Sequence, residues 1–100
     1  KPTFLPSLSQ LGINYPNPFN PETIIPFILS ENAGLVDIKV YNSAGQLVRE
    51  LLSQVSMNPG RHKQIWDGRD QSGSLVSSGV YLVELRTLEG ILVRRIALLK

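Results

Sequence analysis

The 100-residue chain contains no cysteine, one histidine and no long hydrophobic run. The absence of cysteine excludes disulfides and thiolate metal sites, so the stability of the folded domain has to come from its packed core. The longest apolar run, Ile96 to Leu99, is far shorter than the ~20 residues that a membrane-spanning helix needs. His62 has no second histidine or cysteine as a partner, so we expect a solvated strand residue there rather than a catalytic or metal-ligating group.

The chain also lacks a strong charge of either sign. Ten lysines and arginines against eight acidic residues give a net charge of +2. Nucleic-acid binding needs a concentrated basic patch, and the nearest approach to one is the pair Arg94 and Arg95. Neighbouring residues of a strand point to opposite faces, so this pair would not form a patch, and we expect no nucleic-acid partner.

The length and composition indicate one domain with one core. Apolar residues make up 42% of the chain, which is enough for a core but not for a deep substrate cavity as well. No N-terminal signal peptide is visible, and the sequence begins with Lys1 rather than methionine. We therefore expect a fragment of a longer protein.

Short apolar segments recur at intervals of about ten residues. This spacing is typical of a β-sandwich and predicts an all-β, immunoglobulin-like antiparallel sandwich of about seven strands. Strands are predicted at residues 23–29, 35–41, 46–52, 62–67, 79–87 and 91–99, and Leu8, Leu11 and Ile13 could supply a first one. Pro26 lacks an amide donor, which indicates an edge position for its strand.

Both ends of the chain carry unusual segments. Residues 1–12 are predicted to be a linker from an upstream domain, and residues 13–100 the domain itself. Three prolines in Asn14–Pro21 predict a stiff, extended segment at a sheet edge. The last predicted strand is apolar on both faces, so it must be buried in the sheet or offered to a partner. Burial is the favoured interpretation, because exposed apolar edges aggregate.

No group of residues has the pattern of a catalytic centre or a cofactor site. Asp67 and Asp70 lie close to Gly68 and Ser72 and supply the oxygen ligands that calcium prefers, but their spacing does not match an EF-hand loop. Turns capped by aspartate side chains are the favoured interpretation, with the two carboxylates as weak metal candidates. Several serines follow Asp70 without a usable histidine, and no Gly-x-Ser-x-Gly motif occurs. We expect neither catalysis nor a cofactor.

A series of motifs in family order resembles the type A C-terminal sorting domain of the bacterial type IX secretion system. The series runs through NYPNPFNP at residues 14–21, WDGRD at 66–70, SGVY at 78–81 and IALLK at 96–100. That family is related to the immunoglobulin-like domain of flagellar hook-capping proteins. The resemblance implies these sorting-motif residues: Pro16, Asn17, Pro18, Gly79, Tyr81, Arg94, Arg95 and Lys100.

The resemblance also implies a function. Such a domain is a non-catalytic signal that directs an upstream passenger across the outer membrane to the cell surface or the outside. Its partners would be the outer-membrane translocon, a surface sortase that in many cases removes the domain, and the passenger. A true sorting signal must be the natural C-terminus, which we expect Lys100 to be.

Two alternatives stay open. The chain could be a structural or interaction module with an immunoglobulin-like fold, or a carbohydrate-binding module of a multidomain secreted enzyme. The second alternative requires Trp66 and two tyrosines to form an exposed, coplanar platform for sugar rings. Core positions are the favoured interpretation for these aromatic residues, because a buried tryptophan between two sheets is common in sandwiches.

Overall fold

A computed structural model describes residues 8–100, which form two antiparallel sheets packed face to face. The strands are β1 (Gln10–Leu11), β2 (Thr23–Leu29), β3 (Leu35–Asn42), β4 (Leu47–Ser56), β5 (Gly60–Trp66), β6 (Gly79–Thr87) and β7 (Gly90–Leu98). One sheet has the order β1-β2-β5, and the other has the order β4-β3-β6-β7. The predicted all-β sandwich of about seven strands is confirmed. Within residues 8–100, no helix is long and apolar enough to cross a membrane.

The core lies between the sheets and is built by alternating side chains. Along β2 the inward positions are Thr23, Ile25, Phe27 and Leu29, all at most 1% exposed. The facing sheet contributes fully buried side chains from β3 and β6: Val36, Ile38, Val40, Val83 and Leu85. This period of two is the pattern that the sequence shows, because successive strand residues point to opposite faces.

The predicted edge position of β2 is wrong. This strand is central, with β1 on one side and β5 on the other. Pro26 is tolerated because its carbonyl accepts a hydrogen bond from the Gly12 amide, 2.8 Å away, just past the end of β1. The amide and carbonyl of one strand residue point the same way, so the missing donor also faces this side. β1 is only two residues long, and the proline therefore lies at a local edge inside a central strand.

The predicted burial of the last strand is also wrong for its first half. Among the strands of residues 8–100, β7 lies at an edge and has β6 as its one neighbouring strand. Ile91, Leu92 and Val93 are 49%, 39% and 53% exposed, whereas Ile96 and Leu98 are buried. The opposing sheet has one strand fewer and ends in the two-residue β1, so it covers only part of β7.

The N-terminal part of the chain joins both sheets. Residues 1–7 of the predicted linker lie outside the described residues, while Leu11 is buried in β1, so the boundary at residue 12 stays a prediction. The prediction that the proline segment is one extended edge is wrong. The segment instead crosses from one sheet to the other. Tyr15 bonds to Ile24 of β2, and Phe19 makes a parallel bridge to Leu98 of β7. The intervening prolines lack amide donors, so no continuous ladder forms.

Candidate functional site

Segments from both ends of the described chain meet at one end of the sandwich. We call this arrangement the terminal clasp, and it consists of Asn14–Phe19, Gly79–Tyr81 and Ile96–Lys100. Six of the eight predicted sorting-motif residues lie in it. The three segments are distant in sequence, and pairing brings them together.

Backbone hydrogen bonds fasten the proline segment to the end of β7. The Phe19 amide donates to the Ala97 carbonyl, and the Leu99 amide donates to the Phe19 carbonyl, both at 3.0 Å. The Asn17 side-chain oxygen accepts from the Ala97 amide at 3.1 Å. Pro16 and Pro18, on either side of Asn17, are exposed. The clasp thus closes the last third of an otherwise unpaired edge.

A buried polar pair supports the bend at Pro16. The Asn14 side-chain amide donates to the Thr23 hydroxyl at 3.0 Å, and that hydroxyl donates to the Pro16 carbonyl at 2.9 Å. Asn14 and Thr23 are 3% and 1% exposed, so these bonds satisfy groups that would otherwise be buried without partners. The sequence analysis did not single out this pair. Thr23 alternates with Ile25 on the inward face of β2, and this alternation could have identified Thr23 as buried, but nothing similar marks Asn14.

Aromatic packing joins the clasp to the core. The Tyr81 and Trp66 rings meet edge-on with centroids 5.3 Å apart, and the Phe19 and Trp66 rings are 5.6 Å apart. The Tyr81 hydroxyl donates to the Ser77 carbonyl at 2.6 Å, which satisfies the polar end of a buried ring. Tyr81 therefore holds the start of β6 against the core.

Gly79 and Lys100, the two remaining sorting-motif residues of the clasp, are exposed. Gly79 pairs with Leu98 at the end of the β6–β7 ladder. The Lys100 amide donates to the Ser78 hydroxyl at 2.9 Å, and Lys100 itself is exposed. The last residue is therefore held through its backbone, while its side chain is available at the surface.

Arg94 and Arg95 lie outside the clasp, further back along β7. Arg94 is in register with the buried Val83 and donates from Nε to the Leu11 carbonyl at 3.0 Å. Arg95 is in register with Leu82 on the outer face. The expectation that the two arginines point to opposite faces is confirmed, and both are exposed.

The two aspartates considered for calcium are engaged with nitrogen and hydroxyl donors. Asp67 accepts from the Arg69 amide at 3.1 Å and lies 3.4 Å from the Arg49 guanidinium. Asp70 accepts from the Ser72 hydroxyl at 2.6 Å and from two backbone amides of the same turn. These bonds, chiefly the one from the hydroxyl, lower the pKa of Asp70 below its usual value. Residues 8–100 hold no cluster of three or more histidine or acidic side chains suited to a metal ion.

The aromatic residues do not form a platform. Trp66 is fully buried and donates from Nε1 to the Arg69 carbonyl at 2.9 Å, and Tyr81 is 5% exposed. The core position predicted for Trp66 is confirmed. Tyr15 is 44% exposed, but the one tryptophan of the chain is buried and cannot form a platform with it. His62 is not fully solvated, as was predicted, but half-buried, because its ring stacks on Phe27 with centroids 5.4 Å apart.

Comparison with known proteins gives one family and one informative structure. The model of the FlgD Ig-like domain family matches residues 17–98. The chain is also similar to PorZ, an essential bacterial surface component of the type IX secretion system of Porphyromonas gingivalis, with 26% identity and a TM-score of 0.60. That match covers 88% of this chain but only 11% of the PorZ chain. A search of curated proteins found no match. Since the family model spans most of the sequence, the chain belongs to the FlgD Ig-like domain family.

Proposed function

We propose that this domain is a non-catalytic sorting signal that directs a fused passenger through the type IX secretion system to the cell surface or the outside. The observation that carries the proposal is the likeness to PorZ, a surface component of that system, over 88% of the chain. Its partners would be the outer-membrane translocon, a surface sortase and the passenger.

The terminal clasp gives the proposal a physical basis. A signal that a receptor reads has to present its recognised segment in a defined shape. Here the proline segment and the start of β6 hold residues 96–100 by backbone hydrogen bonds, while the side chains of Leu99 and Lys100 remain exposed. Such an arrangement is preorganised, so a receptor would not have to order a free tail on binding.

Export of a reporter tests the proposal. The reporter is fused ahead of Lys1 in a host with a type IX system, with the intact domain and with a form lacking Ile91–Lys100. Because that deletion also removes Ile96 and Leu98 from the core, Lys100→Glu serves as a variant that leaves the core intact. Arg61→Glu, which changes an exposed cation on β5, is its charge-matched control.

Export by the intact domain, its loss on deletion and a specific defect in the Lys100 variant would support the sorting function. An intact fusion that is folded, as judged by protease resistance, and still not exported would overturn it.

The family match favours a second candidate, a structural or interaction module of a multidomain protein. That candidate gains if the folded fusion stays inside the cell. The carbohydrate-binding alternative has lost its basis, since Trp66 is 0% exposed and cannot stack on a sugar.

A further inference from the structure

The first half of β7 has a row of outward-pointing backbone groups that no other strand of residues 8–100 pairs with. Ala97 directs its amide and carbonyl away from β6, toward Asn17 and Phe19 of the clasp. In an antiparallel pair, alternate residues share this direction, so the backbone groups of Ile91, Val93 and Arg95 also point outward. In the described part of the chain, no backbone hydrogen bond from outside β6 reaches these three residues. We call residues Ile91–Arg95 the open edge.

The side chains of the open edge suit a partner on both faces. Ile91 and Val93 are about half exposed on the outer face, and Leu92 is 39% exposed on the inner face. Leu92 and Arg94 line one end of a groove of about 1160 Å³ whose other walls are β1, β2 and β5. The protein therefore leaves room for the side chains of an additional strand on the inner side of the sheet.

The charge of the open edge selects the chemistry of that strand. Arg94 and Arg95 take part in none of the ion pairs found within residues 8–100. Glu84, the carboxylate in register with Val93, instead faces Arg86 at 3.8 Å. Residues 1–7 contain no acidic side chain that could supply the missing partner. A negative charge near these two arginines would therefore have to come from another molecule.

A second copy of the chain is a poor occupant. Antiparallel pairing of two open edges about Val93 would place Arg95 opposite Ile91 and Arg94 opposite Leu92. That dimer would leave all four arginines opposite apolar side chains and without a carboxylate, so a second copy does not complement the charge of the open edge. The same arginines protect the monomer, because charges on an edge strand discourage self-association.

We propose that the open edge binds an extended acidic segment of a partner protein by strand addition. Two consecutive carboxylates of that segment lie opposite Arg95 and Arg94, and three apolar residues lie opposite Val93, Leu92 and Ile91. Backbone hydrogen bonds supply the pairing, and the two charges give the preference for acidic segments. The inference depends on the geometry and the charge of the open edge, and it holds whether or not the domain is an export signal.

Peptide binding monitored by NMR tests the proposal. The probe is the peptide acetyl-Thr-Glu-Glu-Val-Ile-Val-Thr-amide, and its control has lysine at both glutamate positions. We expect the probe to shift the amide signals of Ile91–Arg95 and to slow hydrogen exchange at Val93 and Arg95. Two exposed ion pairs correspond to a preference on the order of tenfold over the lysine peptide.

Two variants separate strand addition from loss of folding. Val93→Pro removes an amide that points outward, so the β6–β7 ladder remains while a strand can no longer pair. It should abolish binding while the circular dichroism spectrum stays unchanged. Arg95→Glu, at an exposed side chain without an ion pair, should remove the preference for either peptide, because the introduced carboxylate offsets the cation that Arg94 retains. Arg61→Glu, on β5, should change neither result.

Three outcomes would overturn the proposal. One is equal binding of both peptides, and another is binding of the acidic peptide that survives in a folded Val93→Pro variant. The third is a concentration-dependent dimer, seen by sedimentation and abolished by Val93→Pro, which would make a second copy the occupant.

Discussion

Replacing Phe19 by alanine tests whether the proline segment is part of the fold. Phe19 is 1% exposed, and its ring lies 5.6 Å from that of Trp66. It lies outside the seven strands, so secondary structure alone would predict that it contributes little to stability. The contacts of the clasp predict a large contribution, because Phe19 bonds to Ala97 and Leu99 and its ring fills the end of the core.

The expected loss follows from the burial. Truncation of a buried phenylalanine costs about 3–5 kcal/mol, the transfer of the ring plus the cavity left behind. The segment around Phe19 is held by few ladder bonds and can relax into part of the cavity, so we expect about 3 kcal/mol. With a urea dependence of about 1–3 kcal/mol per molar, the unfolding midpoint falls by roughly 1–3 M.

Equilibrium urea unfolding measures this loss through the fluorescence of Trp66, the only tryptophan, which is buried beside Phe19. Leu99→Ala is the matched control, because Leu99 lies in the same clasp but is 63% exposed. It should cost no more than about 0.5 kcal/mol. If the free energy of unfolding of Phe19→Ala lay within about 1 kcal/mol of the parent's, well below the usual cost of a large core truncation, the clasp would not be a stabilising unit.

Three further predictions concern single contacts. Gly68→Ala should cost about 1–3 kcal/mol in thermal unfolding, because Gly68 has φ of +75° and an added Cβ would lie 2.7 Å from the Pro21 carbonyl oxygen; an unchanged melting temperature would contradict this. Tyr81→Phe should cost about 1 kcal/mol by losing the bond to the Ser77 carbonyl, and a neutral result in urea unfolding would argue against that bond. Hydrogen bonds from Ser9, just before β1, and Ser30, just after β2, hold the pKa of Glu89 below its ordinary 4.5, so its contribution to stability is present above that pH and lost as the pH falls through the folded pKa. The stability gap between the parent and Glu89→Gln should thus be largest near neutral pH and close in acid, and a gap independent of pH would be the contrary result.

Local patterns predicted most strands and their faces. The sequence alternates at Val36, Ile38 and Val40, which are the buried apolar residues of β3, and Gly45 marks the turn between β3 and β4. Period and turn chemistry are properties of neighbouring residues, so one sequence is sufficient to find them. The outer face of the same strand was less predictable. Asp37 is 5% exposed because Gln54 of β4 covers it with two hydrogen bonds.

The resemblance named eight sorting-motif residues, but it did not say which of them lie together in the fold. The structure brings six of them into the clasp and leaves Arg94 and Arg95 on the open edge. Asn14 and Thr23, which support the bend at Pro16, were missed. A buried polar pair has no periodic signal, because each partner looks like an ordinary surface residue until the fold joins them.

By itself the sequence determined the class of the fold, the core aromatic residue and the absence of cysteine chemistry. These follow from composition and short-range pattern. Only the tertiary structure decided which strands are edges. Pro26 suggested an edge and lies in a central strand, whereas the apolar β7 suggested burial and lies at an edge with half its length exposed. Strand order depends on pairing between residues far apart in the chain, and on how much of one sheet the other covers. The residues of a strand indicate which of its faces could be buried, but they do not determine which strands pair with it or which sheet covers it.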